Sequence, residues 1–186
     1  MKLTNIASIA SGVNQKRHPH GEVFYLQARD FLEDHFLNPE LKPCIVNSQT
    51  IIKHFLNKGD VLVSSKGHNG FNAFVYNADK KPAVASSIFL VLRDIKSNVL
   101  SNYIAWYLNL ESTQNHLIKT SRGTALPAIN KTILAELDIP IVSLKDQEKI
   151  VAISQLKNKE SSIVKSLDLL KSKQLEIQLK KYINKL

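Results

Sequence analysis

Apolar positions in the last quarter of the chain recur at alternating intervals of three and four residues. Ile153, Leu156, Ile163, Leu167, Leu170 and Ile177 follow this spacing, which lines one side of a helix and is the pattern of a coiled-coil seam. Between Lys145 and Lys185 there is no glycine or proline, so one unbroken helix is predicted there. Ser143, just ahead of Asp146 and Glu148, supplies a hydroxyl for the N-cap, and the acids suit the positive end of the helix dipole. Roughly 40 residues at 1.5 Å each make a helix of about 60 Å. One domain offers too little surface to cover that stripe, so a second helix from another molecule is expected. The seam is imperfect: Glu160 and Gln174 interrupt it, and a second stripe of Leu175, Leu179, Tyr182 and Leu186 takes over near the end. The alternative is an amphipathic helix folded back on its own domain.

Upstream, the pattern changes from helical to mixed. Leu3 to Ala10 predicts a short helix or helix-to-strand entry ended by Ser11-Gly12, and Val13 to Gly21 a polar, basic loop. Glu22 to Arg29 predicts a strand. Phe31 to Pro43 is irregular, broken by Pro39 and Pro43. Thr50 to Leu56 predicts a helical turn, and Val61 to Ser65 a strand launched by Lys58-Gly59-Asp60. Lys66 to Gly70 makes a tight loop, Phe71 to Tyr76 returns antiparallel, and Ala83 to Leu92 forms a further strand. Asn98 to Leu110 is helical, with Tyr103, Trp106 and Tyr107 spaced to face a core, and Glu111 to Lys119 is a second short helix. Asp138 to Leu144 predicts a short apolar strand. Hairpin-like strands with clustered helices give the α+β class: one globular domain over 1–142 with a mixed, largely antiparallel sheet, then a long coiled-coil helix over 143–186.

Composition narrows the partner. The 186 residues carry a net charge of +9, which points to an anionic partner, nucleic acid before an acidic membrane surface, although lysines on the long helix can simply be solvated. The single Cys44 excludes an internal disulfide and a cysteine zinc site and fits a reducing cytoplasm. No apolar run reaches membrane-spanning length, and the N-terminus is a poor signal peptide.

Several short motifs then fall in a telling order: Lys58-Gly59-Asp60-Val61-Leu62-Val63-Ser64, Ala83-Val84-Ala85-Ser86-Ser87, and Asn102-Tyr103-Ile104-Ala105-Trp106-Tyr107-Leu108. Gly123-Thr124-Ala125-Leu126-Pro127-Ala128-Ile129, Leu137-Asp138-Ile139-Pro140-Ile141 and Gln147-Glu148-Lys149-Ile150-Val151 follow. Together they resemble the DNA-specificity (S) subunit of type I restriction–modification systems over nearly the whole chain. The resemblance implies a non-catalytic subunit. Its target-recognition domain reads half of a split sequence in double-stranded DNA. Its helix acts as a spacer and docks the modification (methyltransferase) subunits and, through them, the restriction subunit. A full S subunit resembles this unit twice over, so the chain resembles a half-subunit. A two-fold homodimer with antiparallel helices would rebuild the whole and read a palindromic split site. A spacer of about 40–60 Å corresponds to roughly 12–18 base pairs.

Residue chemistry nominates the DNA contacts, since base readout needs donors and acceptors on loops and affinity needs cations near phosphates. Lys66, His68 and Asn69 lie on the glycine-flanked loop, whose alternative is an ordinary hairpin turn. Arg122 and Thr124 lie on a second loop, alternatively a structural cap of the preceding helix. Lys16, Arg17, His18 and His20 suit phosphate contact, or a merely solvated loop. Gln27 and Arg29 on the first strand are weaker candidates. Neither His18 and His20 nor any other group has metal-ligand spacing. Lys66 to Gly70 is not a Walker loop. Asn38-Pro39-Glu40-Leu41 lacks the second proline and the aromatic of the amino-methyltransferase motif, so no S-adenosylmethionine or other cofactor is expected. Tyr103, Trp106 and Tyr107 are expected to pack in the core rather than stack on bases. The competing function class is a coiled-coil assembly module that binds protein and does not read DNA.

Overall fold

The computed structural model describes residues 1–31, 37–67, 70–77, 80–121 and 126–183. It divides into two compact units, Met1–Val151 and Ala152–Leu186. The first is built on a four-stranded antiparallel sheet in the order β1-β6-β3-β4, with β1 at Ser8–Ser11, β3 at Val61–Ser64, β4 at Ala73–Val75 and β6 at Phe89–Arg93. A second sheet pairs β2 (Phe24–Leu26) with β5 (Ala83–Ala85) in parallel. Its helices are α1 (Gln49–Ile52), α2 (Ser101–Leu108), α3 (Glu111–Thr120), α4 (Lys131–Ala135) and the start of α5 (Leu144–Ile183). The class is α+β, with an antiparallel sheet and a long C-terminal helix.

Strand β3 explains the layering. All four of its residues are buried, which marks a strand covered on both faces. In register, Val61 faces Leu92 and Val63 faces Leu90, while Leu62 faces Val91 on one side and Phe74 on the other. The odd positions join the core under α2, α3 and α4, with Tyr103, Ile104, Leu108 and Leu117. Leu62, on the opposite face, joins a second core with Leu26, Ala83, Ala85 and Phe89. Phe31 closes it, stacked on Phe74 at 4.2 Å. Beyond the small sheet, Val23, Tyr25 and Val84 pack on Ile45 and Ile51. Alternate residues of each strand thus feed successive apolar layers.

Three expected strands change. Ala83 to Leu92 is two strands in different sheets. Phe89 N–H donates to Ser86 O at 2.9 Å, closing a turn at Ser86–Ile88, and a ten-residue strand of about 33 Å would outrun either layer. Glu22 to Arg29 is a strand only over Phe24–Leu26. Gln27 and Asp30 then form a reciprocal cap around a 3-10 turn, Ala28–Asp30, so Arg29 sits on that turn and not on a strand. Asp138 to Leu144 forms only an isolated bridge of Asp138 with Lys2, flanked by Ile139 N–H to Met1 O at 2.9 Å, and stops at Pro140. Helix α4, which hydropathy did not predict, is capped by Asn130 Oδ1 accepting from Ile133 N–H at 2.9 Å. Gly12 joins the two sheets: a Cβ there would lie 2.0 Å from Ser86 O, so only glycine permits the approach.

The free edge of β4 is covered by side-chain amides. Asn109 accepts from Ala73 N–H and donates to Ala73 O, both at 2.8 Å. Gln114 accepts from Phe71 N–H at 2.7 Å and donates to Leu108 O at 2.6 Å. Two carboxamides thus replace a neighbouring strand.

The start of α5 follows the expected cap. Ser143 Oγ accepts from Asp146 N–H at 3.2 Å and donates to Asp146 Oδ2 at 2.7 Å. That hydrogen bond, helped by Lys149, holds the Asp146 carboxyl below the usual carboxylate range. Gln147 is fully buried. It accepts from Leu100 N–H at 2.9 Å and donates to Asn98 O at 3.0 Å and Val142 O at 2.9 Å. In the second unit α5 runs on to Ile183, and every residue from Gln155 to Ile183 is exposed.

Gln147→Ala removes a fully buried side chain and leaves the half-buried Leu100 N–H and two carbonyls without their protein partner, so it should cost the first unit about 1–3 kcal/mol, read as a lowered urea midpoint. A midpoint equal to that of the parent chain would show that the carboxamide carries no such role.

Candidate nucleic-acid interface

The expected DNA contacts separate into two groups. Lys66 leaves the end of β3 and is exposed. It bridges Ala128, while Gly67 N–H donates to Pro127 O at 3.3 Å and Ile129 N–H to Ser65 O at 2.9 Å. The start of the loop after β3 is therefore joined to residues 127–129. His68, Asn69, Arg122 and Thr124 lie outside the described residues.

Lys16, Arg17, His18 and His20 lie instead on the loop that precedes β2, and all four are exposed. Their loop is tied down by Tyr25, whose hydroxyl donates to Val13 O at 3.0 Å, and by His18 N–H donating to Cys44 O at 2.7 Å. Arg17 Nη2 donates to Gln27 Oε1 at 2.7 Å, so its guanidinium is partly engaged within the fold. His18 Nδ1 accepts from His20 N–H at 3.2 Å. Among the described residues no three His, Cys, Asp or Glu side chains gather as metal ligands. Arg29 is exposed on its 3-10 turn. Tyr103 is buried and donates its hydroxyl to Pro140 O at 2.6 Å, and the half-buried Trp106 and Tyr107 pack against the same core.

A separate open groove of about 530 Å³ was not nominated by residue chemistry alone. The end of β1 and the residues after it, Ser11 to Gln15, form one wall; Thr50, Lys53, His54 and Lys131 line the rest. Both lysines are exposed. The chain passes from Gln15 directly into Lys16-Arg17. The groove offers cations, an imidazole, hydroxyls and amides and, among the described residues, no carboxylate, the mixture that phosphate and sugar contacts use. Lys131 sits just after the Asn130 cap, and Lys53-His54 follow α1. The adjacent Lys-His pair was a visible signal; its meeting with Lys131 depends on topology.

Arg93 fixes one side of this groove. Its Nη2 donates to Phe55 O at 2.7 Å and His54 O at 3.2 Å. Its Nε lies 3.2 Å from Asp60 Oδ2, an ion pair without the alignment of a hydrogen bond. Burial pushes the Asp60 carboxyl up, more than the Asn57 amide and Arg93 pull it down. Burial, followed by the charges of Lys53 and Arg93, pushes the His54 imidazole down. At neutral pH His54 is therefore neutral and able to accept or donate one hydrogen bond.

The His54 titration should have its midpoint below the ordinary 6.5. Because the folded protein then binds the proton less readily than the unfolded chain, stability falls as pH drops through the ordinary value. An anion in the groove should move the midpoint back up. Proton NMR of the imidazole checks both; a midpoint above 6.5 would refute the assigned surroundings.

The family of type I restriction modification DNA specificity domains matches residues 45–171. The specificity subunit of the type I restriction enzyme MjaVIII from Methanocaldococcus jannaschii is 26% identical over 142 residues, covering 76% of this chain and 31% of that protein. The HsdS subunit of Thermoanaerobacter tengcongensis shares the fold, with a TM-score of 0.55 at 20% identity over 87% of this chain and 37% of that one. The S subunit of M. genitalium does so with 0.57 at 18% over 90% and 40%. A structure concerning assembly and conformational transition of the type I system gives 0.64 at 19% over 88% and 39%. The chain thus spans about a third of the curated relative and about two fifths of each solved chain. With well over half of its length matched, the chain belongs to the type I restriction–modification DNA specificity family.

Proposed function

We propose that residues 1–142 read one half of a split target in double-stranded DNA, and that residues 143–186 are the spacer that docks modification subunits and, through them, the restriction subunit. The observation that carries this is the open groove of Lys53, His54 and Lys131, free of carboxylates among the described residues, which leads into the basic loop at Lys16. The groove holds phosphates and sets register. Lys66, His68, Asn69, Arg122 and Thr124 read bases. Lys16, Arg17, His18, His20 and Arg29 extend the phosphate track. A second copy related by a two-fold axis supplies the other reader, making the site palindromic. The chain itself does no chemistry: it places DNA before the catalytic partners.

Two variants separate these roles by fluorescence anisotropy on duplex DNA. Lys53→Ala with Lys131→Ala should weaken binding to all sequences alike and lower the salt slope by about 2. Lys66→Ala with Arg122→Ala should flatten the preference among sequences, at about 1–3 kcal/mol for each base no longer read. Unchanged affinity, slope and preference in both would favour the coiled-coil assembly module instead.

A further inference from the structure

One wall of the groove carries chemistry that phosphate contact does not require. Asn14 and Gln15 line it, Asn14 exposed and Gln15 half-buried. Their backbone is held from both sheets. Gly12 N–H donates to Phe89 O and Val13 N–H to Ala85 O, each at 2.9 Å. The buried Tyr25 donates its hydroxyl to Val13 O at 3.0 Å and accepts from Gln15 N–H at 3.4 Å. Yet among the described residues neither carboxamide side chain has a hydrogen-bond partner. Asn109, Gln114 and Gln147 show how the fold uses a carboxamide it needs, since each is bonded to backbone elsewhere in the chain. Asn14 and Gln15 instead stand on a fixed backbone with their donors and acceptors free. The cost of ordering that backbone is met before anything binds.

The groups of the groove differ in what they can distinguish. An ammonium has donors only and meets any phosphate alike, so Lys53 and Lys131 carry no sequence information. A carboxamide holds an acceptor and a donor side by side in one plane. That pair matches adenine, which presents its N6 amino group as donor and N7 as acceptor in the major groove. It mismatches guanine, whose N7 and O6 both accept. A strand whose phosphates meet the lysines turns its base edges away from them, and Asn14 and Gln15 stand on another element of the same groove. We propose that Asn14 and Gln15 are specificity-determining residues that read adenine beside the phosphates held by Lys53 and Lys131. The inference rests on the DNA reading proposed above. It adds a second set of base contacts to those assigned to the loops at Lys66 and Arg122.

The test exposes the full chain to a library of randomised DNA duplexes and sequences what it retains. The parent chain should favour adenine at one or two positions that Asn14→Ala with Gln15→Ala renders indifferent. Discrimination there should fall about ten- to a hundredfold, with the other positions unchanged. Asn14→Asp with Gln15→Glu keeps the side-chain shapes and removes the amide donors. It should move the preference at those positions from adenine to cytosine, whose N4 amino group donates to a carboxylate, which a merely misfolded chain would not do. The added charge weakens binding to all duplexes alike and leaves the ratio between bases readable. Adenine preference retained in both variants, or lost at every position alike, would overturn the inference while the DNA reading stands. A parent chain that retains all duplexes equally would sink the DNA reading itself, and this inference with it.

Discussion

The first turn of α5 depends on one buried carboxamide. Gln147 reaches the backbone at Leu100, Asn98 and Val142, which are the N-terminus of α2, the turn before it, and the linker into α5. Each group would otherwise be a buried or half-buried orphan, and an orphan costs more than a formed hydrogen bond contributes. The geometry also sets direction. A carboxamide has one oxygen and one nitrogen in a fixed plane, so satisfying three partners at once leaves the first turn of α5 a narrow choice of orientation against α2. Tyr103 adds a fourth tie to the same linker through Pro140 O. Apolar packing alone, being non-directional, would leave this first turn freer to rotate against α2.

Carboxamides play a comparable part at the other end of α2. Asn109 and Gln114 satisfy Ala73 and Phe71 where a fifth strand would otherwise pair. The β4 edge is therefore satisfied at Phe71 and Ala73, and α2 and α3 are locked to it by directional bonds as well as by Leu108 and Leu117. Both devices place polar side chains where hydropathy shows only gaps between apolar positions, so their partners are hidden from a sequence.

What was legible follows from range. Strand β3, the break-free span of α5 and its Ser143 cap are local patterns within a few turns or residues, and the structure has them. The split of Ala83 to Leu92 was illegible because both halves are apolar and strand-like. Only the close passage of Gly12 against Ser86, more than seventy residues apart in sequence, shows why the chain must change sheets there. The groove was illegible for the same reason: Ser11–Gln15, Lys53-His54 and Lys131 carry ordinary surface chemistry until β1, α1 and α4 bring them together. Arg93 is the clearest case. It reads as the polar end of a buried strand, yet its guanidinium holds the carbonyls after α1 and faces Asp60.

Charge is a poorer guide to DNA than the total suggests. Of 25 basic and 16 acidic residues, eight and three fall in 152–186, so more than half of the excess of nine lies on the helix. The first unit is only mildly basic, and a mild net charge does not by itself draw a domain to a duplex at physiological salt, where the screening length is about 8 Å. Any affinity of this unit for phosphate would come from local arrangement: cations gathered on a face that holds, among the described residues, no carboxylate, as in the groove. The helix lysines answer to a different constraint. They sit beside an apolar seam, where a charge selects a partner by sign.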